Sequence, residues 1–249
     1  MLQEIKIIKH NGKQYIPDPT TAVVPEPFRG RPEISTAKVN EEDLRNICPV
    51  GAISTNPVRI DLAKCCFCGE CAYRFPNKVQ FTNDLRTVSN SHDRLIIHEG
   101  KNEPIRLDQD LVRSEIKKLF GHSLKLRQVS AGGDNSCEYE LNAAGNANFD
   151  MGRYGIEFVA SPRHADGILV TGPITENMSK ALKIAYEAIP EPKVFILCGN
   201  DAISGGIFAD SKALDRSVLK DMHVDLYIPG NPAHPLTIVN GILDLIRTV

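Results

Sequence analysis

Of the chain's seven cysteines, four fall within seven residues, Cys65-Cys66-Phe67-Cys68-Gly69-Glu70-Cys71. Through Cys65, Cys68 and Cys71 the run reads C-x2-C-x2-C. Such crowding suits metal ligation better than a disulfide framework. Thiolates are soft, anionic donors that favour zinc and iron–sulfur centres. Structural zinc sites usually pair two separate C-x2–4-C knuckles. Here three thiols share one continuous triplet, which favours iron–sulfur; a four-cysteine zinc site is the alternative.

The sequence around the triplet narrows the choice. In the bacterial run C-x2-C-x2-C-x3-C-P, the fourth cysteine ligates the other cluster of a pair. The position before Pro76 is Phe75, so a second cluster lacks that ligand. Upstream, Cys48-Pro49-Val50-Gly51-Ala52-Ile53 looks like the tail of a first run whose three leading cysteines are absent. The two halves complement each other. They predict one [4Fe–4S] cluster held by Cys48, Cys65, Cys68 and Cys71. Cys66 is out of register and reads as a packed, inert thiol, with Lys64 and Glu70 as solvated charges.

The elements that must position these residues divide the chain. Residues 1–35 are rich in proline and charge without a sustained period, and read as an extended arm lying on a neighbour. Residues 36–100 carry the cysteines between short segments, as a small cluster-binding module would. From Leu107 the texture changes. Residues 108–120 have apolar positions at helical spacing, with Gly121 as a stop. The runs SLKLRQVS, IEFVA, GILVTG, KVFILCG and VDLYIPG then alternate with helices expected near 176–189, 211–220 and 235–247. Such alternation, with nearly continuous apolar strands, predicts a parallel sheet covered on both faces. The expected fold class is α/β, a ferredoxin-like module followed by a doubly wound, flavodoxin-like domain over 107–249.

Composition excludes several functions. At 249 residues the chain has core enough for one large domain or two small ones. A formal net charge of -2 gives no basic footprint, so nucleic acid is not an expected partner. No apolar run approaches the roughly 20 residues that span a bilayer. The first residues lack the apolar stretch and cleavage site of a signal peptide. The expectation is a cytoplasmic protein in a reducing compartment, where disulfides are rare.

Four further stretches carry a resemblance. They are Gly132-Gly133-Asp134-Asn135-Ser136-Cys137-Glu138, the run FVASPRHADGILVTGPIT from Phe158 to Thr175, GNDAISGGIF from Gly199 to Phe208, and IPGNPAHP from Ile228 to Pro235. Over about residues 107–245 the chain resembles the small (20 kDa, B-type) iron–sulfur subunit of energy-converting [NiFe]-hydrogenases and respiratory complex I. The N-terminal module resembles ferredoxin-type partners of that subunit.

The resemblance implies a proximal [4Fe–4S] cluster held by four cysteines in those loops. Carried over residue by residue, the positions fall on Asp134, Cys137, Asp201 and Asn231. Three of the four thiolates are thus replaced by oxygen-bearing side chains. The expectation is a proximal site without a cluster; a substitute metal on Asp134, Cys137 and Asp201 is the alternative. Cys198 stands three residues before Asp201, and His234 adjoins the site as a candidate substitute ligand.

The implied function is electron transfer within a hydrogenase-like or complex I-like oxidoreductase assembly. Its alternative is a structural or regulatory scaffold subunit, and a nucleotide- or flavin-binding domain ranks last. The implied partner is a large-subunit homologue, with other ferredoxin-type subunits and a membrane arm as further candidates. Through them the chain would sit on the inner face of the cell membrane. The Gly132-Gly133 and Gly205-Gly206 turns complete neither G-x-G-x-x-G nor a P-loop. Arg163 and His164 read as interface or structural residues, and no catalytic constellation is visible.

Overall fold

Strand Val194–Cys198 is buried at all five positions, which requires cover on both faces of its sheet. The computed structural model, which describes residues 2–12 and 15–247, supplies that cover. Met1, Lys13 and Gln14 of the expected arm, and Thr248 and Val249 of the expected C-terminal domain, lie outside the described residues.

The chain opens with helix α1 (Leu2–Asn11), followed by strand β1 (Pro32–Ile34) and helix α2 (Glu41–Asn46). Next come β2 (Ile53–Ser54), β3 (Arg59–Asp61), α3 (Glu70–Arg74), β4 (Val79–Phe81) and β5 (Ile96–His98). β1 pairs with β4, and β2, β3 and β5 form a small antiparallel sheet. Their core, centred on Leu44, Ile60, Leu62, Val79 and Leu95, includes Cys65 and Cys71.

The rest is built from α4 (Ser114–Phe120), β6 (Leu124–Ser130), α5 (Ser136–Ala144), β7 (Ile156–Phe158) and β8 (Gly167–Thr171). It continues with α6 (Glu176–Glu187), β9 (Val194–Cys198), α7 (Asn200–Ser204), β10 (Leu226–Ile228) and α8 (Pro235–Ile246). The five strands are parallel, in the order β10-β9-β8-β6-β7. Counted from β6, that is the flavodoxin-like order, whose crevice opens where the winding reverses, beside β6 and β8.

Alternation along β9 divides the cores. Val194, Ile196 and Cys198 face α4, α5 and α8, whereas Phe195 and Leu197 face α6. Helix α8 is buried along nearly its whole length, so its start must be capped internally. Pro235 at its first turn and His234, whose Nδ1 accepts from the Leu236 N–H at 3.1 Å, do this.

The structure departs from the sequence expectations in three places. The arm expected to be extended begins as α1, which buries none of its residues and carries exposed Leu2, Ile5, Ile7 and Ile8. The rest of the arm lies on its own molecule: Asn240 donates to Pro19 O at 2.9 Å, and Ile16 N–H to Asn148 O at 2.8 Å. The helix expected at 211–220 is only a 3-10 turn, Ser217–Asp221. There Leu214 bridges to Thr175 and Arg216 is drawn inward, so the polypeptide cannot wind regularly. The helix expected over 108–120 shortens to α4.

Candidate functional site

The N-terminal cysteines come from three short segments. Cys48 follows α2, whose start is capped by Asn40 accepting from Glu42 and Asp43 N–H. Asp61, ending β3, turns the chain: its Oδ1 accepts from Ala63 N–H at 2.9 Å and its carbonyl from Cys65 N–H at 2.9 Å. Phe67 and Gly69 then adopt left-handed φ of 52° and 82°, which folds the triplet back before Cys71 enters the first turn of α3.

Cys48, Cys65, Cys66, Cys68 and Cys71 consequently line one small cavity, closed by Ile47, Val50, Ile53, Ile60 and Phe81. Backbone N–H groups point at the sulfurs. Ala52 donates to Cys48 Sγ at 3.2 Å and Phe67 to Cys65 Sγ at 3.4 Å. Such donors stabilise negative charge on sulfur. Burial nonetheless pushes the Cys65 thiol far up and the Cys71 thiol up to about 11, with the neighbouring cysteines adding to both. Several thiolates in this cavity therefore require a cationic centre among them. Among the described residues, no three His, Cys, Asp or Glu side chains converge on a single ion. A [4Fe–4S] cluster takes four cysteine thiolates. The donor set fits that group.

Two residues that the sequence did not single out hold this loop. Arg29 Nε donates to Phe67 O at 2.6 Å, and its stem packs over Gly69. Asn200, wholly buried, donates to Lys64 O at 3.0 Å and to Cys65 O, and its Oδ1 accepts from Gly230 N–H at 3.2 Å. Nothing in the local pattern marks Arg29. Asn200 could have been noticed as the residue after the strand-ending Cys198-Gly199.

The four positions of the second site divide in two. Asp134 is exposed just before α5 and accepts from Ser136 N–H at 2.9 Å; hydrogen bonds from the Ser136 side chain and N–H hold its carboxyl below the usual range. Cys137 follows in the first turn of α5, buried. Asp201 is only 9% exposed, with Oδ1 lacking any partner. Burial raises its pKa, and so does the charge of Asp134; Arg216 opposes them. The Arg216 guanidinium is itself committed to the carbonyls of Pro173, Asp201, Ala202 and Ile203, at 2.8–3.1 Å. Asp134, Cys137 and Asp201 thus share one crevice.

Asn231 is exposed and instead lines an adjoining cavity with Phe28, Arg29, Cys66 and His234. His234 is packed edge-on between Phe28 and Phe149, at 5.3 and 5.8 Å, and desolvation lowers its pKa. Its Nδ1 serves the α8 cap. Cys66 faces both this cavity and that of the other cysteines. Arg163 and His164 are exposed on the 3-10 turn before β8.

The crevice lies at the C-terminal ends of β6, β8, β9 and β10. Its floor is tight because the backbones after β6 and β8 nearly touch: a methyl on Gly133 would lie 3.0 Å from the Gly172 Cα. This is where doubly wound sheets present bound groups.

Comparison with known proteins agrees with this architecture. Residues 135–245 match the family described as NADH ubiquinone oxidoreductase, 20 Kd subunit. The probable membrane-bound hydrogenase subunit mbhJ of Pyrococcus furiosus is 35% identical over 130 residues, 52% of this chain and 78% of that protein. An NADH-quinone oxidoreductase subunit of Heliobacterium modesticaldum is 44% identical over 110 residues, 44% of this chain and 63% of that one. Formate hydrogenlyase subunit 7 of Escherichia coli is 36% identical over 140 residues, 55% of each. The chain therefore spans less than two thirds of several of these relatives, and its cysteines 48–71 precede the matched family segment. The similarity over most of the hydrogenase subunit is decisive: the chain belongs to the NADH ubiquinone oxidoreductase 20 Kd subunit family.

Proposed function

We propose that the chain is an electron-transfer subunit of a hydrogenase-like or complex I-like oxidoreductase assembly, carrying one [4Fe–4S] cluster on Cys48, Cys65, Cys68 and Cys71 of a ferredoxin-like module over 36–100. One observation carries this reading: these cysteines line a common, largely apolar cavity with backbone N–H groups aimed at their sulfurs. When bound, the cluster supplies one-electron chemistry. Ile53, Ile60, Phe67 and Phe81 exclude water from it, Arg29 fixes the loop, and Asn200 ties the loop to the crevice of the second domain.

In that crevice the proximal cluster is lost. Asp134 is engaged by Ser136, and Asp201 is a buried carboxyl where the family holds a thiolate. The exposed side chains of Tyr139, Ile207 and Phe208 stand on the elements around the crevice, and they suit docking to a large-subunit homologue. Through such a partner, other ferredoxin-type subunits and a membrane arm, the protein would be peripheral to the cell membrane. Among the described residues no helix is long and apolar enough to cross one. The carboxylates in the crevice favour a second reading, a scaffold or regulatory subunit in which the remaining cluster passes no electrons onward.

Anaerobically purified protein should contain about four iron and four acid-labile sulfide per chain, the content of one cubane. About eight of each would mean that the crevice also holds a cluster. Zinc without sulfide would establish the four-cysteine zinc site instead.

A further inference from the structure

Arg29 holds the cysteine loop, and its charge is left over once it has done so. The backbone that carries it is fixed from both sides. Gly30 N–H donates to Thr82 O at 2.7 Å, and Arg31 N–H to Asp84 O at 2.9 Å. A side chain at Gly30 would collide with the Asp84 carbonyl, so the segment runs tight against the end of β4. Arg31 anchors it from within: it is buried, and its Nη2 donates to Asn102 Oδ1 at 2.6 Å.

From this track the Arg29 side chain reaches over the loop. Its Nε donates to Phe67 O at 2.6 Å. A first side-chain carbon on Gly69 would lie 3.0 Å from the Arg29 Cδ, so glycine is what lets the stem come this close. Phe67 and Gly69 are the two neighbours of Cys68 in the chain. Cys68 is exposed, whereas Cys65 and Cys71 are buried. Arg29 thus stands beside the ligand that water reaches.

The guanidinium is not neutralised there. Arg45, Arg74 and Arg86 each pair with a carboxylate. Among the described residues Arg29 forms no such pair. The cavity beside it includes Phe67, Asn231 and His234 but no aspartate or glutamate. Reduction adds an electron and no proton to a cluster that its thiolates already make anionic. A fixed cation nearby favours the reduced form, because net charge and hydrogen bonding around a cluster set its potential.

We propose that Arg29 is a positioning residue that raises the reduction potential of the cluster on Cys48, Cys65, Cys68 and Cys71, through its charge beside Cys68 and its hold on Phe67. This rests on the electron-transfer reading and names what adjusts that site. Lysine keeps the charge without the fork, and glutamine keeps an N–H donor without the charge.

The test is a redox titration of the full-length protein, purified anaerobically and followed by electron paramagnetic resonance, after iron and sulfide analysis of each sample. Arg29→Gln should keep its cluster and titrate at a more negative midpoint than wild type. Arg29→Lys should stay close to wild type. Since Arg29 is exposed, the gap between Arg29→Gln and wild type should narrow as salt is raised. Lys125→Gln removes the same charge from the start of β6, at the other end of the sheet from the crevice, and should leave the midpoint unmoved. The proposal is overturned if Arg29→Gln titrates with wild type, if Arg29→Lys falls as far as Arg29→Gln, or if Lys125→Gln falls equally. An Arg29→Gln protein without iron and sulfide would make the residue structural only, and overturns it as well. Wild-type protein without iron and sulfide would instead overturn the electron-transfer reading itself, and this proposal with it.

Discussion

Cys48 illustrates what single residues reveal. Its distance along the chain from the triplet says nothing about proximity, yet the missing cysteine at Phe75 implied that a distant one must complete the set. The fold brings Cys48 to the same cavity as Cys65 and Cys71. The consequence is testable by spectroscopy. Cys48→Ser should abolish or distort the cluster's absorption and paramagnetic signal as severely as Cys68→Ser, whereas Cys66→Ser should leave both nearly unchanged. A Cys66→Ser variant without a cluster, beside a Cys48→Ser variant that keeps one, would reverse the assignment. Cys66 was legible only as an irregularity. Its place in the shared wall of two cavities depends on Phe67 taking a left-handed conformation, which an aromatic residue does not advertise.

At the scale of elements, the five strands of the sheet were readable because β8 and β9 are nearly all apolar and buried at every position, while β6, β7 and β10 keep apolar residues between turn signals. The helices were less so. Residues 211–220 have Leu214, Val218 and Leu219 at helical spacing, but the carbonyls at the end of α7 recruit Arg216 and override that pattern. Helix α5 went unread because the residues that lead into it, Asp134-Asn135-Ser136-Cys137, look like a ligand loop. They are also the approach to a helix. Asn200, opening α7, joins elements that periodicity treats as unrelated. Replacing Asn200 with Ala leaves the Cys65 carbonyl and Gly230 N–H without this partner and should cost about 2 kcal/mol in denaturant unfolding. Asn200→Asp should be worse, since a carboxylate would face the carbonyls of Lys64 and Cys65. Equal stability of Asn200→Asp and wild type would show that the bridge contributes nothing.

For the whole molecule, the change of texture near Leu107 gave no sign of the surface that the residues before and after it share. Ile203 and Tyr227 pack against both the cysteine-bearing core and the α6 side of the sheet. Ser89 pairs with Tyr227, covering the outer edge of β10, and Thr237 Oγ1 donates to Leu85 O at 3.1 Å. Removing residues 1–100 would uncover that edge and the apolar surface beside it, a template for aggregation. We expect the full chain to unfold in a single cooperative transition and the 107–249 fragment to be recovered mainly as aggregate. A soluble fragment melting within a few degrees of the full chain would show two independent domains.

The crevice at the ends of β6 and β8 arises because the polypeptide leaves its first sheet strand in one direction and later returns in the other. Its existence is a property of the path and not of what lines it. No point substitution can erase a hollow made this way, short of unwinding the sheet. Descendants of such a chain can therefore discard one tenant and take in another without learning to fold anew, and heredity keeps a furnished room at this address whoever lives there.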